Sequence, residues 1–441
     1  MENEDLNLVS EDKRFEKTRK LSIIEGASAS VMSGAGDSYI TPYAIELQAN
    51  NFQVGLLSSL GGFIGPISQI FGSKLMEKYP RKRIVVTAVI FQASMWIALL
   101  SLGFIFLKHG KTEYLIPLLI CAYVLYALFG SFGGPAWFSL MGDAVPQKIR
   151  GKYFSKRNRV SGIVSIAAAS IAAILLYYTK EWGLIIYGFI ILFAISAVFR
   201  YISAYFLSRH YVPKIKLEKG YYFSFWQFIK KAPSNNFGRF TLYIVAITLS
   251  VNIAGPFFAV YMWNDLQLNP LWFTAVNLSA TIFSIIFIPF WGKFADRYGN
   301  REMLKIGSVF ISILPALWLF SKSPIYLILV PQLISGIGWA AFNLAASNFI
   351  YDAVTVPRRG IVVAYYSILN GAGVFIGAAL GGIIAQYSSI QFMNVFLFIF
   401  LISAIARGVF SLLFIPHIKE VCTGVLPAKK NPLLYLRELR Q

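Results

Sequence analysis

Asp37 stands among Ser33, Gly34, Gly36, Ser38 and Tyr39, the single acid well inside a predicted membrane helix. A charge at that depth costs about 2.5–3.5 kcal/mol on the insertion scale, so something must offset it. Either the carboxylate lines a water-filled cavity and binds a proton or a cationic substrate, or a static partner holds it for helix packing. Intramembrane ionisable groups default to function. Desolvation favours the protonated carboxyl, which is chemistry suited to proton coupling. Arg200 and Arg407 are intramembrane cations, each eight residues before a predicted helix end. That is about 12 Å at 1.5 Å per residue, too deep to snorkel fully to water. Their equivalent places in the two halves point to a structural role, bracing the Asp143 and Asp352 loops. Neutral polar groups within helices are Tyr126, Asn252, Asn277, Gln332, Asn343 and Asn370. They line a cavity or hydrogen-bond neighbouring helices, and proton or substrate binding is the functional reading.

Catalytic constellations are absent from the sequence. His109, His210 and His417 are scattered, and Cys121 and Cys422 make no metal-ligand spacing. No phosphate loop of the GxxxxGK[ST] type occurs. The expectation is a protein that is not an enzyme, holds no cofactor or metal, and draws its energy from gradients.

The elements that position these groups are long apolar runs. With 57% hydrophobic and 14% charged residues, a soluble chain of 441 residues could not cover its apolar surface. Crossing about 30 Å of hydrocarbon takes about 20 helical residues. Twelve runs qualify: 22–46, 52–75, 84–107, 114–141, 159–179 and 184–208, then 237–262, 271–294, 303–321, 325–350, 361–386 and 392–415. They are continuously apolar rather than alternating, which excludes a barrel. Residues 1–20 show no apolar core before a cleavage site, so no removable signal peptide is expected.

The two halves are copies. Asp143, Ala144, Val145, Arg150, Gly151 and Gly162 recur at one offset as Asp352, Ala353, Val354, Arg359, Gly360 and Gly371, where composition alone would give about one match. A second set pairs Ile195, Ser196, Ala197, Arg200 and His210 with Ile402, Ser403, Ala404, Arg407 and His417. The fold class is therefore an all-α membrane protein of two pseudo-symmetric six-helix bundles. The domains expected are an N-terminal bundle with its leading segment (1–208), a linker (209–236), a C-terminal bundle (237–416) and a tail (417–441).

The net charge of +20 sets topology rather than partners. With both termini in the cytoplasm, all Lys and Arg fall on that side except Arg200 and Arg407 inside helices and Lys108, Lys111, Lys180 and Lys322 outside. The positive-inside rule is strongly obeyed. The partners expected are the lipid bilayer, a small-molecule substrate and protons, with no nucleic acid and a monomeric state. The membrane is the plasma or inner membrane.

Trp291 to Arg301 reads WGKFADRYGNR across the turn after the eighth run. Gly292, Asp296, Arg297, Gly299 and Arg301 resemble the G-x-x-x-D-R-x-G-x-R/K loop signature of the major facilitator superfamily. A degraded first-half copy places Glu77 and Arg81 opposite Asp296 and Asn300, with Pro80 where glycine is usual. The resemblance implies the twelve-helix fold of that superfamily and a cytoplasmic gate. In it Glu77 faces the helix start near Arg359 and Gly360, and Asp296 the start near Arg150 and Gly151, because a helix start carries positive partial charge. Asp143 and Asp352, at unfavourable helix C-termini, need basic partners, and Arg150, Arg157 and Arg359 are the candidates. The fifth run lacks the Gly-Pro motif of antiporter members, and the small residues of Gly371 to Gly382 read as close helix packing.

Two functions remain open from sequence. One is a secondary active transporter working by alternating access, proton-coupled through Asp37, with drug or metabolite efflux favoured over uptake. The other is a non-transporting receptor, assembly factor or lipid-handling protein on the same scaffold. The topology is checked directly: in a Cys121→Ser background, Cys422 and a cysteine replacing Ser10 should both react with impermeant maleimide from the cytoplasmic side alone. Reaction from opposite sides would overturn the even number of crossings.

Overall fold

The computed structural model describes residues 2–76, 78–146, 150–211, 225–353, 356–388 and 391–421, with backbone only at 2–12, 150–152, 155, 351–352, 356–361 and 364. The chain divides into two compact units, Met1–Lys219 with Ala259–Thr274, and Gly220–Phe258 with Ala275–Gln441.

The first unit holds α1 (Glu2–Ala35), α2 (Asn51–Leu75), α3 (Arg81–His109), α4 (Leu115–Phe132, continued by Gly134–Ala144), α5 (Arg150–Glu181) and α6 (Ile185–Ser208). The second holds most of α7 (Asn236–Val260) and α8 (Pro270–Tyr298), with α9 (Asn300–Ile313), α10 (Leu333–Ala353), α11 (Val356–Tyr387) and α12 (Val395–Phe414). Among the described residues, eleven helices are long and apolar enough to span a bilayer. The remaining crossing of the twelve-helix fold is the first one, which the sequence reads as one run over 22–46. It is interrupted: α1 ends at Ala35, a 3-10 turn takes Asp37–Tyr39, and a short helix continues over Ile40–Glu46. Gly34, Gly36, Asp37 and Ser38 explain the break, since glycine and short polar side chains are weak helix formers. Inside a membrane such irregular backbone is tolerated where it lines a cavity or is covered by protein.

The repeat is visible in the packing. In the first unit α3 lies along α6, and in the second α9 lies along α12. The first unit's apolar centre is aromatic, with Trp96 5.1 Å from Phe193 and 4.9 Å from Tyr126, and Tyr43 4.8 Å from Phe193. Ala259–Thr274 joins this unit through side chains: the Trp263 indole donates to Glu46 Oε1 at 2.8 Å, the Lys180 ammonium lies 4.8 Å from the Trp263 ring, and the Tyr39 and Thr274 hydroxyls meet at 2.7 Å. The second unit's core gathers Phe240, Tyr243, Trp291, Phe294, Met303 and Phe349.

Small residues set one helix contact closely. Gly373, Gly377 and Gly381 on α11 each face a carbonyl of α7, from Val245, Leu249 and Ile253 in turn. A β-carbon at Gly373 would stand 2.9 Å from the Val245 oxygen, and the other two sites are tighter. Backbones this close are typical of small-xxx-small packing between membrane helices.

His210, just past α6, is 1% exposed, and neither ring nitrogen has a hydrogen-bond partner among the described residues. Burial, with Lys82 and Arg157 nearby, pushes its pKa down to about 4. The unfolded ring takes a proton near pH 6.5, so between about 6.5 and 4 the unfolded state binds more protons and folding weakens as pH falls. The purified protein should therefore melt at lower temperature across that window, and His210→Gln should flatten the slope relative to the parent. Gly377→Ala should cost about 1–3 kcal/mol by overpacking, read as a lower melting temperature. An unchanged melt would remove the α7–α11 seam as a constraint.

Candidate functional site

Asp37 occupies the break in the first crossing and its side chain is exposed. The Tyr126 hydroxyl, from α4, donates to its Oδ1 at 2.5 Å. Tyr126 is itself only 6% exposed, set edge-on against Trp96 and stacked 5.9 Å from Tyr123. The Ser33 side chain on α1 also hydrogen-bonds the carboxylate, which is thus held from α1 as well as from α4. Arg200, on α6, is near enough to act on it electrostatically. Arg200 spends its donors elsewhere, with Nε on Gln92 Oε1 at 2.8 Å and Nη1 on the Ser203 hydroxyl at 3.2 Å.

That serine leads to a residue the sequence reading missed. Ser203 Oγ donates to Glu25 Oε1 at 3.2 Å, while Arg157 Nη2 meets Glu25 Oε2 at 3.0 Å. Glu25 is 4% exposed on α1. The Arg157 guanidinium also bonds the Ser22 carbonyl at 3.2 Å and lies 4.7 Å from the Trp137 ring. The first unit therefore contains a chain of polar contacts from Gln92 through Arg200 and Ser203 to Glu25 and Arg157, with Asp37 in the field of Arg200. Glu25 falls only three residues inside the predicted start at 22, where an acid reads as a boundary group. The usable signal was Ser22 and Glu25 three apart, which share one helix face.

Two expectations about partners are corrected. Arg157 does not serve Asp143, because it lies beside α1 and takes Glu25. Asp143 is bridged at 2.7 Å by Arg81, which also donates to Ser139 Oγ at 2.7 Å. The first turn of α3 comes against the end of the α4 continuation, so the degraded motif's own arginine is the nearer cation. Nor, among the described residues, does either intramembrane arginine make a hydrogen bond or ion pair with the loop after α4 or after α10. Arg407, 1% exposed, donates from Nε to Ser403 Oγ at 3.1 Å and from Nη1 to the Ile311 carbonyl at 2.8 Å. It meets no carboxylate among the described residues. Both arginines instead tie α6 or α12 to its neighbour at mid-helix.

In the second unit the predicted polar residues are only partly gathered. Thr248 donates to Asn370 Oδ1 at 2.5 Å, and Asn252 Nδ2 donates to the Thr248 carbonyl at 2.8 Å, so α7 and α11 share one polar patch. Asn277 on α8 and Asn343 on α10 have exposed side chains, and Gln332 is buried in a π turn, Ile328–Gln332, that precedes α10.

The loop between α8 and α9 and its first-half counterpart are described in part. Gly299 has φ of +88°, the left-handed region glycine supplies, and it ends α8 and opens α9. Gly292 is half-buried, while Asp296 and Arg297 are exposed, with the Arg297 guanidinium 5.5 Å from the Tyr298 ring. The Arg301 backbone N–H donates to Glu420 Oε2 at 2.7 Å, so an acid beyond α12 caps the start of α9. Arg301 itself pairs with Glu302 at 3.3 Å. Glu77, and the side chains of Arg150, Asp352 and Arg359, lie outside the described residues. Among those described, no three His, Cys, Asp or Glu side chains converge as metal ligands would.

A family model described as Major Facilitator Superfamily matches residues 26–249 and again 240–439. Multidrug resistance protein 1 of Bacillus subtilis (strain 168) is 30% identical over 129 residues, covering 29% of this chain and 32% of that protein. Multidrug resistance protein MdtG of Proteus mirabilis (strain HI4320) is 32% identical over 164 residues, covering 35% of this chain and 40% of that protein. The chain thus spans about a third to two fifths of the length of these curated relatives. A variant of the nucleoside transporter NupG superposes with a TM-score of 0.68 at 16% identity, covering 91% of this chain and 100% of that one, a likeness of fold. With the family model matched twice, once to each half of the internal repeat, the chain belongs to the Major Facilitator Superfamily.

Proposed function

We propose that this membrane protein is a secondary active transporter that exports a small molecule by alternating access, with proton coupling through Asp37. The observation that carries the reading is Asp37 itself: an exposed carboxylate at a helix break, held by Tyr126 and within electrostatic reach of Arg200. Such a group has two stable uses. Ionised, it attracts Arg200 and any cationic portion of a substrate. Protonated, it loses both attractions while the Tyr126 contact persists with the roles of donor and acceptor free to exchange. A proton and a substrate thereby compete for one site, which is the elementary requirement for exchange.

Glu25 and Arg157 hold the other end of the polar chain, so they fix α1 against α5 and α6 while Asp37 changes charge. Asn252, Asn277, Gln332, Asn343 and Asn370 are the groups of the second unit assigned to substrate contact. Arg81 with Asp143, and the loop of Gly292, Asp296, Arg297, Gly299 and Arg301, are assigned to the gate, with Glu77, Arg150, Asp352 and Arg359. Export is favoured by the partial likeness to the two multidrug resistance proteins. The protein is read as a monomer of the plasma or inner membrane, and the distribution of its basic residues supports a cytoplasmic position for both termini.

The test is transport in proteoliposomes with a pH electrode or dye inside. Asp37→Asn should abolish substrate-driven proton movement, and coupling that persists at the parental ratio would remove Asp37 from the mechanism. Tyr126→Phe should slow proton-driven flux about tenfold, the scale of one hydrogen bond to a charged group, while leaving the melting temperature within a few degrees.

A further inference from the structure

The basic end of the first unit has a shallow, open depression of about 290 Å³, lined by apolar parts of Pro80, Lys82, Arg83, Val86 and Ser208, with cations around its rim. It sits between the first turns of α3 and the last residue of α6. No acid is among the lining residues, and Asp143 nearby is already bridged by Arg81. The cations around the depression are differently held. Lys82 is anchored, its Nζ donating to the His210 carbonyl at 2.9 Å. Arg83 is exposed, with its guanidinium 6.0 Å from the Tyr79 ring. Arg209 is exposed and donates to the Tyr205 hydroxyl at 3.1 Å, its guanidinium 5.1 Å from that ring. None of the three meets a carboxylate among the described residues. His210, whose ring is buried and kept neutral, adds no charge beneath them.

Below the depression the same two helices present an apolar strip. Ile90 is 42% exposed and Val198 55% exposed. Ser94 Oγ and the Tyr201 hydroxyl meet at 2.8 Å on this exposed side, which shows that the two helices run together there. Three cations at the end of an exposed apolar strip match one kind of molecule, with an anionic head and hydrocarbon tails. Basic recesses between membrane helices at the headgroup level hold anionic lipids in this way.

We infer that Lys82, Arg83 and Arg209, around the rim of this depression between α3 and α6, bind the headgroup phosphate of an anionic glycerophospholipid, with an acyl chain along Ile90 and Val198. The Arg83 and Arg209 guanidiniums each lie against the tyrosine ring four residues earlier in the chain, Tyr79 and Tyr205. Bound lipid would brace α3 against α6, next to the pair Arg81 and Asp143.

The test uses the full chain in detergent, titrated with phosphatidylglycerol, with phosphatidylcholine, and with inorganic phosphate, and read by native mass spectrometry and melting temperature. Phosphatidylglycerol should bind and raise the melting temperature, and the other two should not. Arg83→Gln with Arg209→Gln should weaken phosphatidylglycerol binding at least tenfold, the loss expected for two basic groups at an anionic surface. The lipid-free melt should be unchanged. Lys180→Gln with Lys322→Gln, away from the depression, should leave binding at the parental level. Equal binding of phosphatidylcholine, equal protection by phosphate alone, or no effect of the double arginine variant would each overturn the proposal.

Discussion

A charged side chain inside hydrocarbon has no water to turn to, so each must find its counter-group within the protein or face a hydrated space. In the first unit that constraint produces one connected arrangement rather than separate pairs. Asp37 has Tyr126 and the field of Arg200, Arg200 has Gln92 and Ser203, and Ser203 links to Glu25, which Arg157 neutralises. Four helices, α1, α3, α5 and α6, contribute side chains to this chain, and α4 adds Tyr126. Their relative placement is therefore set by polar contacts as much as by the aromatic packing of Trp96 and Phe193. A buried network of this kind is costly when any one member is removed, because the neighbour is left charged and unpartnered.

The two halves of the repeat have solved the same problem differently. Arg200 and Arg407 are equivalent in sequence, yet the first works beside carboxylates and the second is surrounded by neutral acceptors, Ser403 and the Ile311 carbonyl. Among the described residues that guanidinium meets neutral oxygens, and it ties α12 to α9. The second unit instead concentrates amides, with Asn252 and Asn370 joined through Thr248. The two arginines recur in both halves, whereas Asp37 and Glu25 belong to the first half alone.

Much of the fold was legible in the residues. The length and continuity of the apolar runs give the crossings, since bilayer thickness leaves few alternatives, and the offsets linking Asp143 to Asp352 and Arg200 to Arg407 give the duplication. Asp37 was visible because an acid so far from both ends of an apolar run has no bland explanation at the level of hydropathy. Glu25 was hidden by the same measure, lying where a run begins and acids are ordinary. The partner of Asp143 was hidden for another reason. Arg81 and Arg157 are both plausible by charge, and only the close approach of α3 to the end of α4 decides between them. The cap on α9 comes from Glu420, well over a hundred residues away in the chain, and no local pattern announces a contact of that separation. The break at Gly36 was in plain view as a cluster of weak helix formers, but hydropathy averages across it.

The seam between α7 and α11 carries a mechanical consequence. Notches at Gly373, Gly377 and Gly381 meet carbonyls of Val245, Leu249 and Ile253, so both partners repeat every four residues. Four residues rise about 6 Å along a helix. A smaller slip would set side chains, not notches, against the carbonyls, and the two rods are thereby indexed: they travel together as one stiff strut, or shift by a whole tooth.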